Sequence, residues 1–292
     1  MTRIGVVGAG RVGAVLAAAL RAADHEIIAV AGESAASRTR IETLLPGVHV
    51  DKPTAVSRAC DLLLLTVPDD MLANVVTMLA ASGAIRPGQR VVHTSGKHGL
   101  AVLAPAAEVG AEVLAMHPAM TFTGTEADLA RLRGISYGVT AEDELRAEVT
   151  GIVADLGGFP EWIAQGRRVM YHASLAHGAN HLVTLVNEAA DRLRDAGVVR
   201  PDKVLRPLLE AALDNALRMG DNALTGPVSR GDVGTIARHV ETLRDTPSLP
   251  SYLAMARRTA DRAIAAGRLR ATDADALLDV LASINHSAGA VR

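Results

Sequence analysis

Three glycine residues near the start of the chain have the spacing of a phosphate-binding turn. They belong to the string Gly8-Ala9-Gly10-Arg11-Val12-Gly13, which follows the apolar run Ile4 to Val7 and precedes the alanine-rich run Val15 to Ala23. In this setting the first glycine allows a tight turn, the second lets the backbone approach a pyrophosphate, and the third lets a helix pack closely on a strand. The helix amino terminus adds free N–H groups for the phosphates. We expect dinucleotide contacts from Gly8, Gly10, Arg11, Val12 and Gly13, the alternative being a glycine-rich turn without a ligand.

The residues after the second apolar run, Glu26 to Ala31, indicate which dinucleotide is bound. An acidic residue there binds the 2′-hydroxyl of NAD, whereas an arginine accommodates the 2′-phosphate of NADP. Glu33 favours NAD, but two serine and two arginine residues between positions 34 and 40 suit a phosphate better. Arg38 and Arg40 cannot face the same way on a helix that Ser34 begins, and we favour Arg38. The expected NADP contacts are Ser34, Ser37 and Arg38. For Ser34 alone, a plain helix N-cap is the alternative.

A histidine followed by a proline, His117-Pro118, closes a later apolar run and is a candidate for proton transfer. An imidazole titrates near neutral pH, and the proline fixes the backbone beside it. The alternative is a histidine whose ring only bonds a nearby backbone carbonyl.

Two further segments follow apolar runs that have the character of strands. They are Val67-Pro68 and Thr94-Ser95-Gly96. Because loops at the carboxyl ends of parallel strands line the ligand crevice, we expect the first segment and Thr94 to border the nicotinamide. Ser95 and Gly96 offer a hydroxyl and backbone N–H groups to a substrate carboxylate or carbonyl.

Strand and helix patterns alternate over roughly the first 165 residues. Strands are predicted over residues 3–7, 26–31, 48–50, 62–67, 90–93, 112–116, 135–140 and 160–163, and helices over residues 13–23, 34–44, 70–82, 101–109 and 141–156. The alternation predicts a doubly wound α/β fold, with a mostly parallel sheet covered on both faces. The run Leu62 to Leu65 lacks polar alternation, which suits a central strand. Asp69 and Asp70 are expected to cap the helix that follows.

From residue 167 onward the chain shows helical patterns alone. They cover residues 168–195, 201–219, 232–243, 249–267 and 272–285. We therefore expect a cofactor domain over residues 1–165 and an all-α domain over residues 166–292, joined near Ala164-Gln165-Gly166. The alanine-rich helices of the second domain suit close packing against a twofold mate, so we expect a homodimer.

Composition argues against several classes of protein. The chain has 30 basic and 32 acidic residues without a basic block, and one Trp, three Tyr and two Phe, so we expect no nucleic-acid partner. No run of about 18 apolar residues could span a membrane, and Arg11 interrupts the signal-like start. The single cysteine, Cys60, suits a buried side chain and a reducing, cytoplasmic setting.

Motifs spread along most of the chain carry a resemblance to a known family. They are the glycine string at residues 8–13, His93-Thr94-Ser95-Gly96, His117-Pro118, Thr121-Phe122-Thr123-Gly124, Tyr171-His172-Ala173, Asn180 and the segment LTGPVSRGD at residues 224–232. Together they resemble the bacterial family of Rossmann-like NADP oxidoreductases with a helical C-terminal domain of unknown function. That family is similar in layout to pyrroline-5-carboxylate reductase, ketopantoate reductase, the β-hydroxyacid dehydrogenases and prephenate dehydrogenase. The resemblance implies a Rossmann-like sheet, an all-α domain and NADP, with NAD the less favoured cofactor.

In prephenate dehydrogenases a strand-end His-Pro carries the catalytic histidine, and His117-Pro118 matches that dipeptide. The lysine that β-hydroxyacid dehydrogenases use is missing here, since the chain has no lysine between Lys97 and Lys203. We expect a residue on the helix from residue 168 to replace that lysine. The predicted catalytic residues are His117, Ser95, His172 and Asn180.

His177, His181 and Glu188 have a spacing that a metal could use, but the further motif of zinc sites is absent and we expect no metal.

We expect residues of both domains to bind an anionic substrate. The predicted substrate contacts are Gly96, Tyr171, Thr225 and Arg230. A guanidinium binds a carboxylate bidentately, although residues 224–232 could equally form a plain turn in which Asp232 caps the next helix. We therefore expect hydride transfer between NADPH and a small carbonyl or imine acid in a cleft between the domains. The alternatives are oxidation of a cyclic acid, as in prephenate dehydrogenase, and a cofactor-binding sensor without catalysis.

Overall fold

Eight strands form one sheet in the computed structural model, which describes residues 1–282. The strands are β1 (Arg3–Val7), β2 (Glu26–Ala31), β3 (His49–Val50), β4 (Leu62–Leu65), β5 (Arg90–His93), β6 (Glu112–Pro118), β7 (Ser136–Thr140) and β8 (Phe159–Trp162). Their order is β3-β2-β1-β4-β5-β6-β7-β8, and every neighbouring pair is parallel except β6 and β7. The mostly parallel, doubly wound sheet predicted from the sequence is therefore confirmed.

Helices cover the sheet and then make up the rest of the described chain. They are α1 (Arg11–Ala22), α2 (Ala35–Leu44), α3 (Pro53–Ala59), α4 (Asp69–Ala81), α5 (Ala104–Glu108), α6 (Ala127–Arg131), α7 (Arg146–Asp155), α8 (Arg168–Leu175), α9 (His181–Asp195), α10 (Pro201–Met219), α11 (Val233–Leu243), α12 (Leu249–Ala265) and α13 (Ala271–Ala282). Helices α3 and α6 were not predicted, because segments so short show too little periodicity. The last predicted helix begins at α13, and its residues 283–285 lie outside the described part of the chain.

Strand β4 is the central strand that its composition predicts. Leu62 and Leu64 pack into the hydrophobic cluster on one face of the sheet, whereas Leu63 and Leu65 pack into the cluster on the other. Cys60 is fully buried just before the strand, and burial raises the pKa of its thiol to about 11. The expected burial of this cysteine is confirmed.

The reversed strand β7 changes which residues reach the ligand edge of the sheet. In the antiparallel pair, His117 lies opposite Gly138 and Pro118 opposite Tyr137. The beginning of β7 therefore lies beside the end of β6. Residues of β7 thus join the edge at which β1, β4, β5 and β6 end.

The described chain divides into two compact units, Met1–Gly178 and a second unit that begins at Ala179. The first holds the sheet and α8, and the second holds α9 to α13. In the second unit α11, α12 and α13 enclose a hydrophobic cluster that includes Ile236, Ala260 and Leu277. The domain boundary near residue 165 stays a prediction. None of the described helices combines the length and apolar character needed to cross a membrane.

The long helix predicted over residues 168–195 is interrupted. Helix α8 is followed by a π-helical turn at Ala176–Asn180 and then by α9. The expectation of one regular α-helix is wrong at this turn. π-Turns insert a residue into a helix and occur frequently at functional sites.

Candidate functional site

The first glycine turn is built into the sheet by close backbone contacts. Gly8 has a φ of +101°, and a Cβ atom there would lie 2.7 Å from the carbonyl carbon of Thr66 and from the nitrogen of Val67. The N–H groups of Gly8 and Ala9 both donate to the carbonyl of Ala31 at 3.0 Å. The turn is thereby fixed between the ends of β2 and β4, and only glycine fits at its first position.

The other two glycines of the string have different surroundings. A Cβ at Gly13 would collide with the Thr66 hydroxyl and lie 2.5 Å from the Gly8 carbonyl, so helix α1 packs tightly on the turn. At Gly10 the nearest atom would be 3.9 Å away, and this N-cap residue of α1 has no side chain to cap the first turn. Open space at Gly10 and uncapped N–H groups in the first turn of α1, where Arg11 and Val12 lie, fit a dinucleotide phosphate.

The segment expected to select NADP begins helix α2. The hydroxyl of Ser34 accepts the N–H of Ser37 at 3.1 Å and donates to the Ser37 hydroxyl at 2.9 Å, so Ser34 is an N-cap. Arg38 is exposed one position further along. Arg40, which the sequence interpretation set aside, lies against the loop at Gly124, where a Cβ would be 2.6 Å from its Nε atom.

A buried carboxylate holds that loop in place. Asp128 is fully buried, and its carboxylate accepts the N–H groups of Thr123 and Gly124 at 2.8 Å and the Thr123 hydroxyl at 2.9 Å. Burial alone would raise the pKa of Asp128, but the hydrogen bonds from Gly124 and Thr123 bring it below its usual value. The loop therefore presents Gly124 against both Arg11 and Arg40.

His117 and Tyr171 form a hydrogen-bonded pair at the end of β6. Nδ1 of His117 lies 3.0 Å from the Tyr171 hydroxyl, and the two rings are nearly perpendicular. The hydroxyl packs against Gly138 of β7, where a Cβ would be only 2.5 Å away. The ring of His117 thus bonds a side-chain hydroxyl rather than the backbone carbonyl of the alternative interpretation.

Gly96 brings a second histidine to the same place. A Cβ at Gly96 would lie 2.5 Å from Cδ2 of His172 and 3.1 Å from Cδ2 and Nε2 of His117. The two imidazole rings are perpendicular, with centroids 6.1 Å apart. Gly96 therefore permits the close approach of both rings, and the structure brings together four of the predicted site residues: His117, His172, Tyr171 and Gly96.

The His117–Tyr171 pair is uncharged at neutral pH. Burial, then the positive charge of Arg168 and a further electrostatic effect of His172, lower the pKa of His117 to about 4, against a weaker opposing effect of Asp69. Burial likewise raises the pKa of Tyr171 above its ordinary value. The hydrogen bond therefore joins two neutral groups in the resting state.

His93 shapes the loop that carries the predicted residues Thr94, Ser95 and Gly96. Its Nδ1 accepts the N–H of Ser95 at 3.1 Å, which leaves Nε2 to donate to the carbonyl of Gly99 at 3.1 Å. The hydroxyl oxygen of Ser95 accepts the N–H of His98 at 3.2 Å. Burial lowers the pKa of His93 to about 4, so this ring stays neutral and holds the loop.

Sequence reasoning missed Arg168, whose side chain is completely buried beside this cluster. Its guanidinium donates to the Ser95 carbonyl at 2.7 Å, the Gly138 carbonyl at 3.2 Å and the Thr140 hydroxyl at 2.9 Å. The one signal in the sequence is spacing, because Arg168 precedes Tyr171 and His172 by three and four positions on α8 and so shares their face.

Other predicted residues lie around the end of β4 or in the second unit. Val67 follows β4 beside Gly8, and Pro68 is the N-cap of α4. Asp69 and Asp70 lie in the first turn of α4 and make no side-chain cap, so their predicted capping is wrong, because Pro68 already occupies the cap position. Instead Asp69 pairs with Lys97 at 3.7 Å.

The predicted residues Asn180, Thr225 and Arg230 belong to the second unit and are exposed there. Asp232 caps α11 by accepting the N–H of Thr235 at 3.0 Å, as the plain-turn interpretation of this segment expects. Within residues 1–282, no group of three His, Cys, Asp or Glu side chains is arranged to hold a metal ion.

Comparisons with known proteins cover both units. Three solved structures of similar fold are a putative NADP oxidoreductase from Bacteroides fragilis, a pyrroline carboxylate reductase from Plasmodium falciparum with NADP bound and an imine reductase from Streptomyces aurantiacus. Their identities to this chain are 21%, 12% and 17%, and their TM-scores are 0.76, 0.59 and 0.64. The alignments cover 89%, 91% and 89% of this chain and 98%, 97% and 95% of theirs, which establishes the fold.

Two family models match consecutive parts of the sequence. The model of the Rossmann-like domain matches residues 1–118, and that of the domain of unknown function DUF2520 matches residues 135–259. No curated protein sequence matches the chain significantly. The chain therefore combines a Rossmann-like domain with a DUF2520 domain, the arrangement that its sequence motifs predict.

Proposed function

We propose that the chain is an NADP-dependent oxidoreductase that transfers a hydride between NADPH and the carbonyl or imine carbon of a small acid. The observation that carries the proposal is the position of the neutral His117–Tyr171 pair at the same sheet edge as the glycine turn. The related structures support it, since they include an NADP oxidoreductase, an enzyme with NADP bound and an imine reductase.

The proposed cofactor contacts follow from the turn and from α2. The open space at Gly10 receives the pyrophosphate, and Ser34, Ser37 and Arg38 bind the 2′-phosphate. Arg40 and Arg11, on either side of Gly124, add positive charge near the turn. When bound there, NADPH supplies the hydride, and the chain supplies position and electrostatics.

His117 is the proposed site of proton transfer. When the Tyr171 hydroxyl donates to Nδ1, the proton of the neutral ring resides on Nε2, which lies beside Gly96. That N–H is then available to an oxygen or nitrogen of the substrate, and Ser95 and His172 border it. Asn180, Thr225 and Arg230 remain proposed substrate contacts from the second unit.

The neutral imidazole also favours a second candidate, oxidation of a cyclic hydroxy acid. In this direction Nδ1 holds the ring proton and donates it to the Tyr171 hydroxyl, which leaves Nε2 free to take the hydroxyl proton of a substrate while NADP accepts the hydride. Assays in both directions distinguish the two candidates.

We further propose that the protein is a homodimer through its helical unit. Large apolar side chains are exposed on α9 and α10, and among them Leu208 is 62% and Leu217 79% exposed. Large apolar side chains exposed along two helices suit a contact between protein chains. Light scattering after gel filtration tests this: Leu208→Asp with Leu217→Asp should yield monomers, whereas Met78→Asp on α4 should not. A monomeric wild type contradicts the proposal.

Calorimetry followed by activity assays tests the main proposal. NADPH should bind roughly tenfold or more tightly than NADH, and Arg38→Ala should remove most of the difference. With NADPH and a panel of keto and imino acids, His117→Ala should lower turnover roughly 100-fold or more while leaving NADPH affinity unchanged. Unchanged turnover contradicts the role of His117, and tight binding without any hydride transfer favours the sensor instead.

A further inference from the structure

A buried positive charge lies beside the candidate site. Arg168 is the largest fully buried side chain of the described chain, and its exposed fraction is 0%. Its three hydrogen-bond acceptors are the carbonyls of Ser95 and Gly138 and the hydroxyl of Thr140, all of which are neutral. Its Nε atom is buried without a hydrogen-bond partner. Within residues 1–282 no carboxylate forms an ion pair with Arg168, so its charge is uncompensated in the protein.

The groups that accept hydrogen bonds from Arg168 belong to the segments against which His117, His172 and Tyr171 pack. Ser95 precedes Gly96, against which His117 and His172 pack, and Gly138 packs against the Tyr171 hydroxyl. Arg168 also shares one face of α8 with Tyr171 and His172. The charge therefore lies beside the two segments against which His117, His172 and Tyr171 pack.

The two carboxylates that act electrostatically on the site, Asp69 and Glu161, form no ion pair with Arg168. Asp69 acts on His117 in the opposite sense, but more weakly than Arg168, and its carboxylate already lies 3.7 Å from the ammonium of Lys97. Glu161 lies on β8, opposite Gly138 of β7, and acts on Tyr171. A charge that is taken out of water without a counter-ion is costly, and it is stabilised when an opposite charge arrives. An anion bound in the site would therefore supply the negative charge that the buried guanidinium of Arg168 lacks.

We propose that Arg168 is a specificity-determining positioning residue, whose buried charge makes the site beside His117 and Tyr171 select a substrate that carries a carboxylate next to its reacting carbon. The inference rests on the proposed function and names the chemical class of its substrate. It differs from an anchor at Arg230, because Arg168 acts through its electric field and through the loop at Ser95 and the strand β7 that it holds, rather than by direct contact. A purely structural cross-link would instead affect charged and neutral ligands equally.

Paired probes that differ only in charge test the inference without turnover. Tetrahydro-2-furoate and its neutral amide are titrated into the full chain with NADP present, and the imidazole signal of His117 is followed by NMR. In the wild type we expect the carboxylate to bind about tenfold or more tightly than the amide. Arg168→Gln should abolish that preference with little change in amide affinity, and Arg168→Lys, which keeps the charge, should retain most of it.

The neighbouring Arg167 is the matched control, because it is exposed and Arg167→Gln should leave the preference unchanged. Circular dichroism and thermal unfolding check folding. If Arg168→Gln does not fold, the Arg168→Lys variant provides the test. A folded Arg168→Lys variant that no longer prefers the carboxylate to the amide contradicts a role of the positive charge. A wild type that fails to bind the carboxylate, or an Arg168→Gln variant that weakens both probes equally, overturns the inference. A charge-dependent preference without any hydride transfer would sustain it and refute only the proposed oxidoreductase.

Discussion

The hydroxyl of Tyr171 lies 3.0 Å from Nδ1 of His117, and the tyrosine ring stands almost perpendicular to the imidazole. One partner comes from the end of β6 and the other from α8, at positions 54 residues apart in the chain. Because both groups are neutral near pH 7, the hydrogen bond couples the position of the ring proton of His117 to the orientation of the Tyr171 hydroxyl.

Removal of the hydroxyl should disturb this proton position without affecting the cofactor. In Tyr171→Phe, Nδ1 of His117 loses its donor, and we expect turnover in an NADPH oxidation assay to fall roughly 10- to 100-fold while NADPH affinity stays constant. The matched control is Tyr252→Phe, which removes the hydroxyl 2.9 Å from Nδ1 of His239 in the second unit. Nitrogen chemical shifts of the His117 ring would report the change of tautomer, and an unaltered tautomer would contradict the assignment.

Gly96 is predicted to be irreplaceable for steric reasons alone. In Gly96→Ala the new methyl group would lie 2.5 Å from the ring of His172 and 3.1 Å from that of His117, so both rings must move. We expect turnover to fall roughly 100-fold, since small misplacements of reacting groups are costly. Gly166→Ala, where no atom lies within 4 Å of the new methyl group, should behave like the wild type. Equal activities of the two variants would argue against this placement of the histidines.

Two glycines of the same turn should respond differently to alanine. Gly13→Ala meets the Thr66 hydroxyl and the Gly8 carbonyl, so we expect the free energy of unfolding to fall by about 1–3 kcal/mol. Gly10→Ala has room in the protein, with the nearest atom 3.9 Å away, and should leave unfolding unchanged. Its methyl group would occupy the space assigned to the pyrophosphate, so calorimetry should show NADPH affinity reduced roughly tenfold or more. Normal NADPH binding by Gly10→Ala would remove the turn from the cofactor site.

Acid should destabilise the first unit through two buried histidines. The pKa values of His93 and His117 are lowered from 6.5 to about 4, so between these values the unfolded state binds more protons than the folded state. Stability is therefore fully present above pH 6.5 and decreases as the pH falls towards 4, by about 3 kcal/mol for each ring.

Urea unfolding between pH 4 and pH 7.5 measures this dependence. His93→Gln should flatten the curve, and at pH 7.5 it should lower the free energy of unfolding by about 1–3 kcal/mol, because Ser95 or Gly99 loses a buried hydrogen-bond partner. His117→Gln should flatten the curve by a similar amount. A curve as steep in both variants as in the wild type would show that other groups govern acid unfolding.

Local patterns were sufficient to predict much of the fold. Strands β1, β2 and β5 and helix α10 have the bounds expected from their apolar periodicity, and the glycine string predicts the first turn. The reversal of β7 could not be predicted, since the residues of a short buried strand do not encode its direction. The π-turn at residues 176–180 was missed although Gly178 and Asn180 are weak helix formers, because residue types alone do not distinguish a π-turn from an α-helix.

The candidate site was predictable only in part. His117 and Gly96 follow from the rule that strand ends line a ligand crevice, and Tyr171 and His172 from the resemblance of their motif to a known family. The burial of Arg168 was not predictable, because its acceptors Ser95 and Gly138 lie 73 and 30 residues away and an arginine at a helix start is ordinarily solvated.

The antiparallel pairing of β6 and β7 also determines where the chain can accommodate insertions and substitutions. A parallel step would need a crossover that carries the chain to the opposite end of the sheet, whereas the reversal keeps residues 119–135 at the edge where β6 ends. Their inner part is fastened by Asp128, and Gly124 rests on the arginines next to the glycine turn. Insertions or exchanges in the outer part of this connection would therefore change the ligand edge of the sheet without altering the order or pairing of the strands.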